Sequence, residues 1–426
     1  MSDMRSKRIL YVELAPAVGG SVISLYQLVK GLDRERYTPL VMMRAGNPYV
    51  ERFRALDVPV ATLGEADRGD AVQSAQESAP LRWEGLRQSG LAGGLKRSAI
   101  GEGLVHLAGF YLRTWPELRR EAQALGEQFE ALAQGSGRPD LVHLNDVLCV
   151  SRAGIMAARR AGLPAICHLR AMAWRNHADR RLSHYLRGYI CISQAVDAYQ
   201  RRLGGRTSPS WIVYNGLDLA EFPDDLPRTA GEARRELGLC VDDQVVGCVG
   251  RLVAWKGQEV LLRALAELAP QFPRLRGLIV GAPERGGEGY VEQLQRLVAS
   301  LGLEDRVVFT GFRRDVPRLL SALNILAHTS TAPEPFGRVL IEGMAAGVAV
   351  IGAAAGAVPE IITDGVNGRT VPPNDPRALA EALADALTHP AEWERWRRAA
   401  RDAVAQRFTT EVYVQGVQRV YEEILT

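Results

Sequence analysis

The chain has 426 residues, 47% of them hydrophobic and 24% charged, with 52 Lys and Arg against 49 Asp and Glu for a formal net charge of +3. Such a length suits two domains of about 100–200 residues each, and either half can bury its own core. A charge this balanced does not argue for nucleic acid as the main partner, and no nucleic-acid partner is expected, although a local basic patch could exist.

Five cysteines, Cys149, Cys167, Cys191, Cys240 and Cys248, lie in or beside apolar runs and form no C-x-x-C pair. Their odd number and setting predict reduced, buried thiols and a cytoplasmic protein. No cluster of His and Cys suggests a metal site. Met1 to Arg8 is polar and basic, and the apolar stretch Ile9–Val18 contains Glu13 and Pro16. It reads as a first strand and loop and not as a signal peptide. No run of 18 apolar residues predicts a membrane span.

In chain order, Ile9–Leu14 is a strand, Gly19-Gly20 a turn, and Ser21 to Gly31 a helix. Thr38–Arg44, Leu141–Asn145, Ala165–Leu169, Gly188–Ser193 and Ser210–Tyr214 continue the strands. After Pro223–Pro227 the pattern restarts: Val245–Gly250 is a strand and Gly257–Leu268 a helix. Leu278–Gly281, Tyr290–Leu301, Val307–Gly311, Ile325–Thr329 and Ala349–Gly352 follow. Strands alternating with helices predict an α/β protein with two doubly wound parallel sheets. The expected domains are 1–215 and 216–390. A long polar insertion over about 64–138 interrupts the first, and its length predicts helices and not a bare loop. Residues 391–426 carry Trp393, Trp396, Phe408, Tyr413 and Tyr421 at roughly helical spacing. They are expected to form terminal helices that pack back on the first domain.

The stretch APEPFGRVLIEGMAAG, Ala332–Gly347, carries the densest chemistry. Glu334 and Glu342 stand eight residues apart. Pro335 and Gly337 mark a loop entering a helix, so Glu342 falls about two turns inside it. The amides of Phe336, Gly337 and Arg338 would then face any anion ahead of the helix. An isolated acidic pair at this spacing is more often a solvated loop acid and a surface helix residue.

Six runs change that weighting: VYNGLD at 213–218, VGRLVAWKG at 249–257, LIVGAPE at 278–284, VVFTGF at 307–312, EPFGRVLIEGMAAG at 334–347 and GAVPEIITDGVNG at 356–368. In this order and spacing the chain resembles the retaining, nucleotide-sugar-dependent glycosyltransferases of family 4, the group 1 type. The resemblance is dense from about 210 to 390 and weaker in the insertion. It implies the GT-B fold, two Rossmann-like domains facing a central cleft, with the acceptor on the first and the donor on the second. It further implies that Glu342 binds ribose hydroxyls and that Glu334 and the amides after it hold the donor sugar. Arg251 and Lys256 would clamp the diphosphate. Both follow a strand ending at Gly250, on a loop closed by Gly257. Two cations there can neutralise charge that grows as the nucleoside diphosphate departs.

In the first domain, Gly19 and Gly20 resemble a family glycine pair that touches donor phosphate or acceptor, and His168 resembles a family histidine near the transferred sugar. A bare turn and a structural histidine are the alternative readings. Arg170 and Arg175 could bind an anionic acceptor, and His143 reads as structural. No D-x-D triplet occurs, which fits diphosphate neutralisation by Arg251, Lys256 and a helix start; neither a cofactor nor an essential metal is expected. The resemblance implies front-face attack, the departing phosphate taking the acceptor's proton.

The expected function is therefore transfer of a hexose from a UDP- or GDP-sugar to a glycan, lipid-linked or polysaccharide acceptor. A nucleotide-sugar epimerase and a non-catalytic nucleotide-sugar-binding protein are the competing readings. The epimerase would need acid and base groups beside the sugar, whereas these residues suit donor binding. Residues 81–98, LRWEGLRQSGLAGGLKRS, mix Trp, Leu and cations. They could hold the protein peripherally on an anionic membrane or pack on their own domain.

Overall fold

The computed structural model describes residues 5–15, 19–64, 114–204, 208–223, 230–284 and 286–426. The chain divides into two compact units. The first comprises residues 1–192, 196–213 and 414–426; the second comprises 193–195 and 214–413.

The first unit is built on a seven-stranded parallel sheet. Its strands are β1 (Lys7–Glu13), β2 (Tyr37–Arg44), β3 (Val60–Leu63), β4 (Leu141–Leu144), β5 (Ala165–Leu169), β6 (Gly188–Cys191) and β7 (Ser210–Ile212), in the order β3-β2-β1-β4-β5-β6-β7. The order reverses between β1 and β4, which are paired in register from Ile9 opposite Leu141 to Val12 opposite Leu144. Helices cover both faces of such a sheet, so its central strands are buried on both sides instead of alternating; β4 and β5 are buried at every position and apolar except at His143 and His168. Beyond the described gap, the helix Trp115–Ser136 begins with Pro116 in its first turn and stops at Gly137, whose φ is 86°. Ala122, Leu125 and Phe129 form its buried stripe, at the spacing that places side chains on one helix face. This helix covers the last part of the expected insertion. Residues 65–113, with Trp83 and the segment 81–98, lie outside the described residues.

The second unit repeats the plan with six parallel strands: β8 (Gln244–Val249), β9 (Leu275–Val280), β10 (Val307–Gly311), β11 (Ile325–His328), β12 (Ala349–Ala353) and β13 (Arg369–Val371). Their order is β10-β9-β8-β11-β12-β13. The reversal falls between β8 and β11, where ligand-binding loops of doubly wound sheets gather. Its core joins Val246, Leu261, Leu265, Ile279, Ile351 and Leu383 to Trp393 and Trp396, whose ring centroids are 4.6 Å apart.

Three expectations change in detail. The boundary falls at Val213/Tyr214, two residues before 216. The helix Pro390–Arg407 stays in the second unit, because Trp393 and Trp396 fill its core. Only residues 414–426, most of the last helix Thr410–Leu425, belong to the first unit. Among the cysteines, Cys167, Cys191 and Cys248 are buried, whereas Cys149 is intermediate and Cys240 is exposed, so burial of all five is not found. Among the described residues, no helix is long and apolar enough to cross a membrane.

Candidate functional site

In the second unit, β8 ends at Val249 and the chain turns through Arg251 to a short 3-10 turn, Ala254–Lys256. Gly257 closes the loop with φ 68°. A Cβ there would lie 2.0 Å from the Thr329 carbonyl oxygen. Glycine therefore lets this loop rest directly on the segment leaving β11. The two are stitched together: the Thr329 hydroxyl donates to the Lys256 carbonyl at 3.0 Å, and the Thr331 amide to the Trp255 carbonyl at 2.8 Å. Lys256 Nζ also stands 4.2 Å from the Trp255 ring centroid.

Glu334 is fixed by its backbone first. The Ala357 amide donates to its carbonyl at 2.8 Å, and its own amide reaches the Ala355 carbonyl at 3.4 Å. Between these bonds Gly356 has φ 66°, and a Cβ there would sit 2.2 Å from the Glu334 oxygen. The glycine of the GAVPE run is thus what allows the loop after β12 to hold Glu334.

The Glu334 side chain is then gripped through one oxygen. Oε2 accepts from Lys256 Nζ at 2.6 Å, His328 Nε2 at 3.0 Å and the Ser330 hydroxyl at 3.0 Å. Glu334 is 6% exposed. Burial by itself would favour the neutral acid. The hydrogen bond from His328 and the charge of Lys256 outweigh it and hold the carboxyl at about 2. An ionised carboxylate only accepts hydrogen bonds, so His328 donates from Nε2.

Of the residues read from the sequence, Lys256 and Glu334 are therefore brought into direct contact. Arg251 leaves the same strand end but pairs with Glu284 in the loop after β9, and both are about half exposed. The helix carrying Glu342 begins at Arg338, with Gly337 as N-cap at φ 94°. Phe336 thus lies ahead of the helix, and the first turn is Arg338 to Leu340, whose amide already bonds the Gly337 carbonyl at 2.9 Å. That shifts the expected set of N-terminal amides towards the C-terminus. The Phe336 ring is buried among Tyr214 and Phe408, with centroids 6.1 and 6.0 Å away. Arg338 Nε is 3.5 Å from Glu342 Oε1, one turn apart on the helix, and Arg338 also donates to the Gly216 carbonyl at 3.2 Å. Burial pushes the Glu342 carboxyl up, while Arg338 draws it back down.

In the first unit, Gly19 caps the helix Gly20–Lys30, and the space its Cβ would take holds no atom within 4 Å. Packing does not impose glycine there. His168, on β5, is fully buried and its Nδ1 lies 3.2 Å from His143 Nε2. His143 Nδ1 in turn meets the Tyr421 hydroxyl at 2.6 Å, which donates to the Tyr11 hydroxyl at 3.1 Å. Burial lowers both histidines well below their usual range, so both rings are neutral.

Sequence reasoning missed two groups. His328 and Ser330 precede Glu334, and their signal was a polar triplet, HTS, ending the apolar run ILA. Glu13, Asn145 and Asp146 are the second group, and they gather at the ends of β1, β4 and β5 with Arg170, which the sequence had offered for an anionic acceptor. Asn145 donates to Glu13 Oε2 at 2.5 Å and accepts from Arg170 Nη2 at 2.6 Å. Burial, with the charge of Asp146, pushes Glu13 up to about 8; burial raises Asp146 to about 6. A carboxylate inside the apolar run Ile9–Leu14 was the signal for this cluster.

Comparison with known proteins agrees with this architecture. The family model described as glycosyl transferases group 1 matches residues 230–403, and that described as Glycosyltransferase Family 4 matches residues 18–221. A D-inositol 3-phosphate glycosyltransferase of Mycobacteroides abscessus is 31% identical over 70% of this chain; the alignment spans 56% of that protein's length. The lipopolysaccharide core biosynthesis mannosyltransferase LpcC of Rhizobium leguminosarum bv. viciae is 30% identical, over 58% of this chain and 70% of its own. The crystal structure of Anabaena HepE in complex with UDP superposes with a TM-score of 0.75 at 26% identity, covering 98% of this chain and 100% of that one. With two parallel doubly wound sheets of this order, the chain belongs to the family 4, group 1 glycosyltransferases of the GT-B fold.

Proposed function

We propose that the chain transfers a hexose, with retention, from a nucleoside diphosphate sugar to a glycan, lipid-linked or polysaccharide acceptor. The observation that carries this reading is the contact of Lys256 with Glu334 at the reversal point of the second sheet. A cation and a buried, ionised carboxylate side by side suit the two ends of such a donor, the phosphates and the sugar hydroxyls. UDP is the first nucleotide to test, because HepE was crystallised with it; GDP is the second.

In this reading the bond from the anomeric carbon to the β-phosphate oxygen breaks and a bond to the acceptor oxygen forms. The acceptor's proton passes to the departing phosphate. Lys256 and Arg251 balance the charge that grows on the diphosphate, exchanging Glu334 and Glu284 for phosphate oxygens. Glu334 accepts hydrogen bonds from sugar hydroxyls, Glu342 from the ribose, and backbone amides at Gly337 and Arg338 add donors. For the first unit we keep His168 as a neutral hydrogen-bonding group for a sugar hydroxyl and Gly19-Gly20 as a close backbone approach. With cations supplied by the protein, no divalent metal is required. We further propose a cytoplasmic enzyme that works at an anionic membrane when its acceptor is lipid-linked.

Calorimetry or thermal shift with UDP and GDP, followed by turnover of the matching sugars, tests the reading. A true ligand at 100 times its Kd stabilises by about 2.7 kcal/mol. Release of nucleotide that depends on an acceptor supports transfer. Binding of neither nucleotide overturns the proposal, and loss of turnover in EDTA with recovery in magnesium overturns its metal independence.

A further inference from the structure

We infer that His328 and Ser330 are positioning residues that keep Glu334 anchored through Oε2 when Lys256 turns to the donor diphosphate. The inference rests on the donor reading above and deepens it. Lys256 cannot serve both partners fully: its ammonium lies 2.6 Å from Glu334, and a diphosphate carries more charge than one carboxylate. As Lys256 moves, Glu334 stays in a pocket where it is 6% exposed. A buried carboxylate that loses its cation either takes a proton or needs other donors. His328 Nε2 and the Ser330 hydroxyl are those donors, at 3.0 Å each and on the same oxygen as Lys256.

Both are set by the fold. His328 is the last residue of β11, 5% exposed, and Ser330 follows two residues on, 2% exposed. Their hydroxyl–imidazole distance is 3.3 Å, so the three groups form one closed set. Lys256, from the loop after β8, and His328, from β11, are the charged or titratable groups that act on Glu334. The loop after β12 meets it through backbone alone. Crowding all donors onto Oε2 directs Oε1 to the substrate hydroxyls.

The test uses the full chain with His328→Phe, His328→Gln and Ser330→Ala. Glutamine keeps an N–H donor near Nε2; phenylalanine keeps only the ring volume. Loss of a hydrogen bond to a charged group corresponds to about tenfold. His328→Phe should therefore lower kcat/KM at neutral pH by about tenfold. It should also add an acid limb to the pH profile above pH 4.5, because Glu334 now takes up a proton that the native protein refuses down to about 2. His328→Gln should restore the native profile, and Ser330→Ala should give a weaker version of the phenylalanine effect. Carboxyl-carbon NMR, with the Glu334 signal assigned by Glu334→Gln, reads the same shift without substrate. Melting temperatures confirm that each variant is folded; an unfolded phenylalanine variant leaves the decision to His328→Gln and Ser330→Ala by the same NMR signal. An unchanged profile and an unchanged Glu334 signal in His328→Phe overturn the inference, as does a glutamine variant no better than phenylalanine. Failure of the native protein to bind or turn over any nucleotide sugar overturns the donor reading instead, and the NMR titration separates the two.

Discussion

Each sheet ends in a cluster built round a buried glutamate, and the two glutamates behave in opposite ways. In the first unit, Glu13 is fully buried beside Asp146, and among the described residues it accepts from the Asn145 side chain at 2.5 Å and the Ala15 amide at 3.1 Å. Arg170 donates to the Asn145 oxygen, and its charge draws Glu13 down less than burial raises it. Burial wins, and the carboxyl rises to about 8. In the second unit Glu334 is nearly as buried, yet three donors converge on it and its carboxyl falls to about 2. Burial alone does not fix the state of a carboxylate; the donors and charges aimed at it decide as well. A glutamate held towards the neutral acid and one held ionised thereby stand at the ends of the two sheets.

The comparison breaks most sharply if the ionised cluster is dismantled. Lys256→Ala and Glu334→Gln should each lower kcat by about 10²- to 10³-fold, the range for a preorganised charge-stabilising group. Steady-state kinetics with the nucleotide sugar identified by binding would check this, and a loss below threefold would separate the pair from the chemistry.

Next in size is the scaffold of that cluster. Gly356→Ala puts a Cβ 2.2 Å from the Glu334 carbonyl oxygen at a φ of 66°. Steric overlap and the left-handed backbone together should cost about 3 kcal/mol. Urea unfolding would show it; a change within 0.5 kcal/mol would mean that the loop after β12 yields freely.

The cluster round Glu13 is tested by pH. Glu13 and Asp146 titrate higher in the folded protein than in the unfolded chain. Between about pH 4 and 8 the native state therefore binds more protons, and stability falls as pH rises, levelling off above about 8. Glu13→Gln removes most of that slope. Its melting temperature at pH 8 should exceed the parent's by about 4 °C, and a parallel pair of stability curves would contradict the assignment.

The smallest effect concerns the histidine pair. Tyr421→Phe removes the hydroxyl that joins His143 to Tyr11. The expected cost is about 1 kcal/mol in denaturant unfolding. A neutral result would show that the relay adds no net stability.

Much of this was legible in the chain. Short β-branched runs alternating with helical periodicity define two parallel sheets, because side-chain period follows directly from backbone geometry. The loop residues Arg251, Lys256 and Glu334 and the helix residue Glu342 were singled out because they stand in runs that resemble the family's, at the family's spacing. The pairing of Lys256 with Glu334 was not, since 78 residues separate them and only the adjacency of β8 and β11 brings their loops together. His328 and Ser330 stand only six and four residues from Glu334, but a polar triplet at a strand end is ordinary until its partner is known. The last helix divides for a further reason. Trp393 and Trp396 hold the helix before it in the second unit's core, and Tyr421 holds its end against His143 in the first.

Sequence alone determined most of the strands and helices, and hence the doubly wound class, because those choices are local; the short sheet-edge strands β3 and β13 carried no pattern that marked them. Tertiary structure decided which acids are charged and which polar groups grip them. Protonation depends on burial and on donors that arrive from distant strands, and no local pattern encodes either.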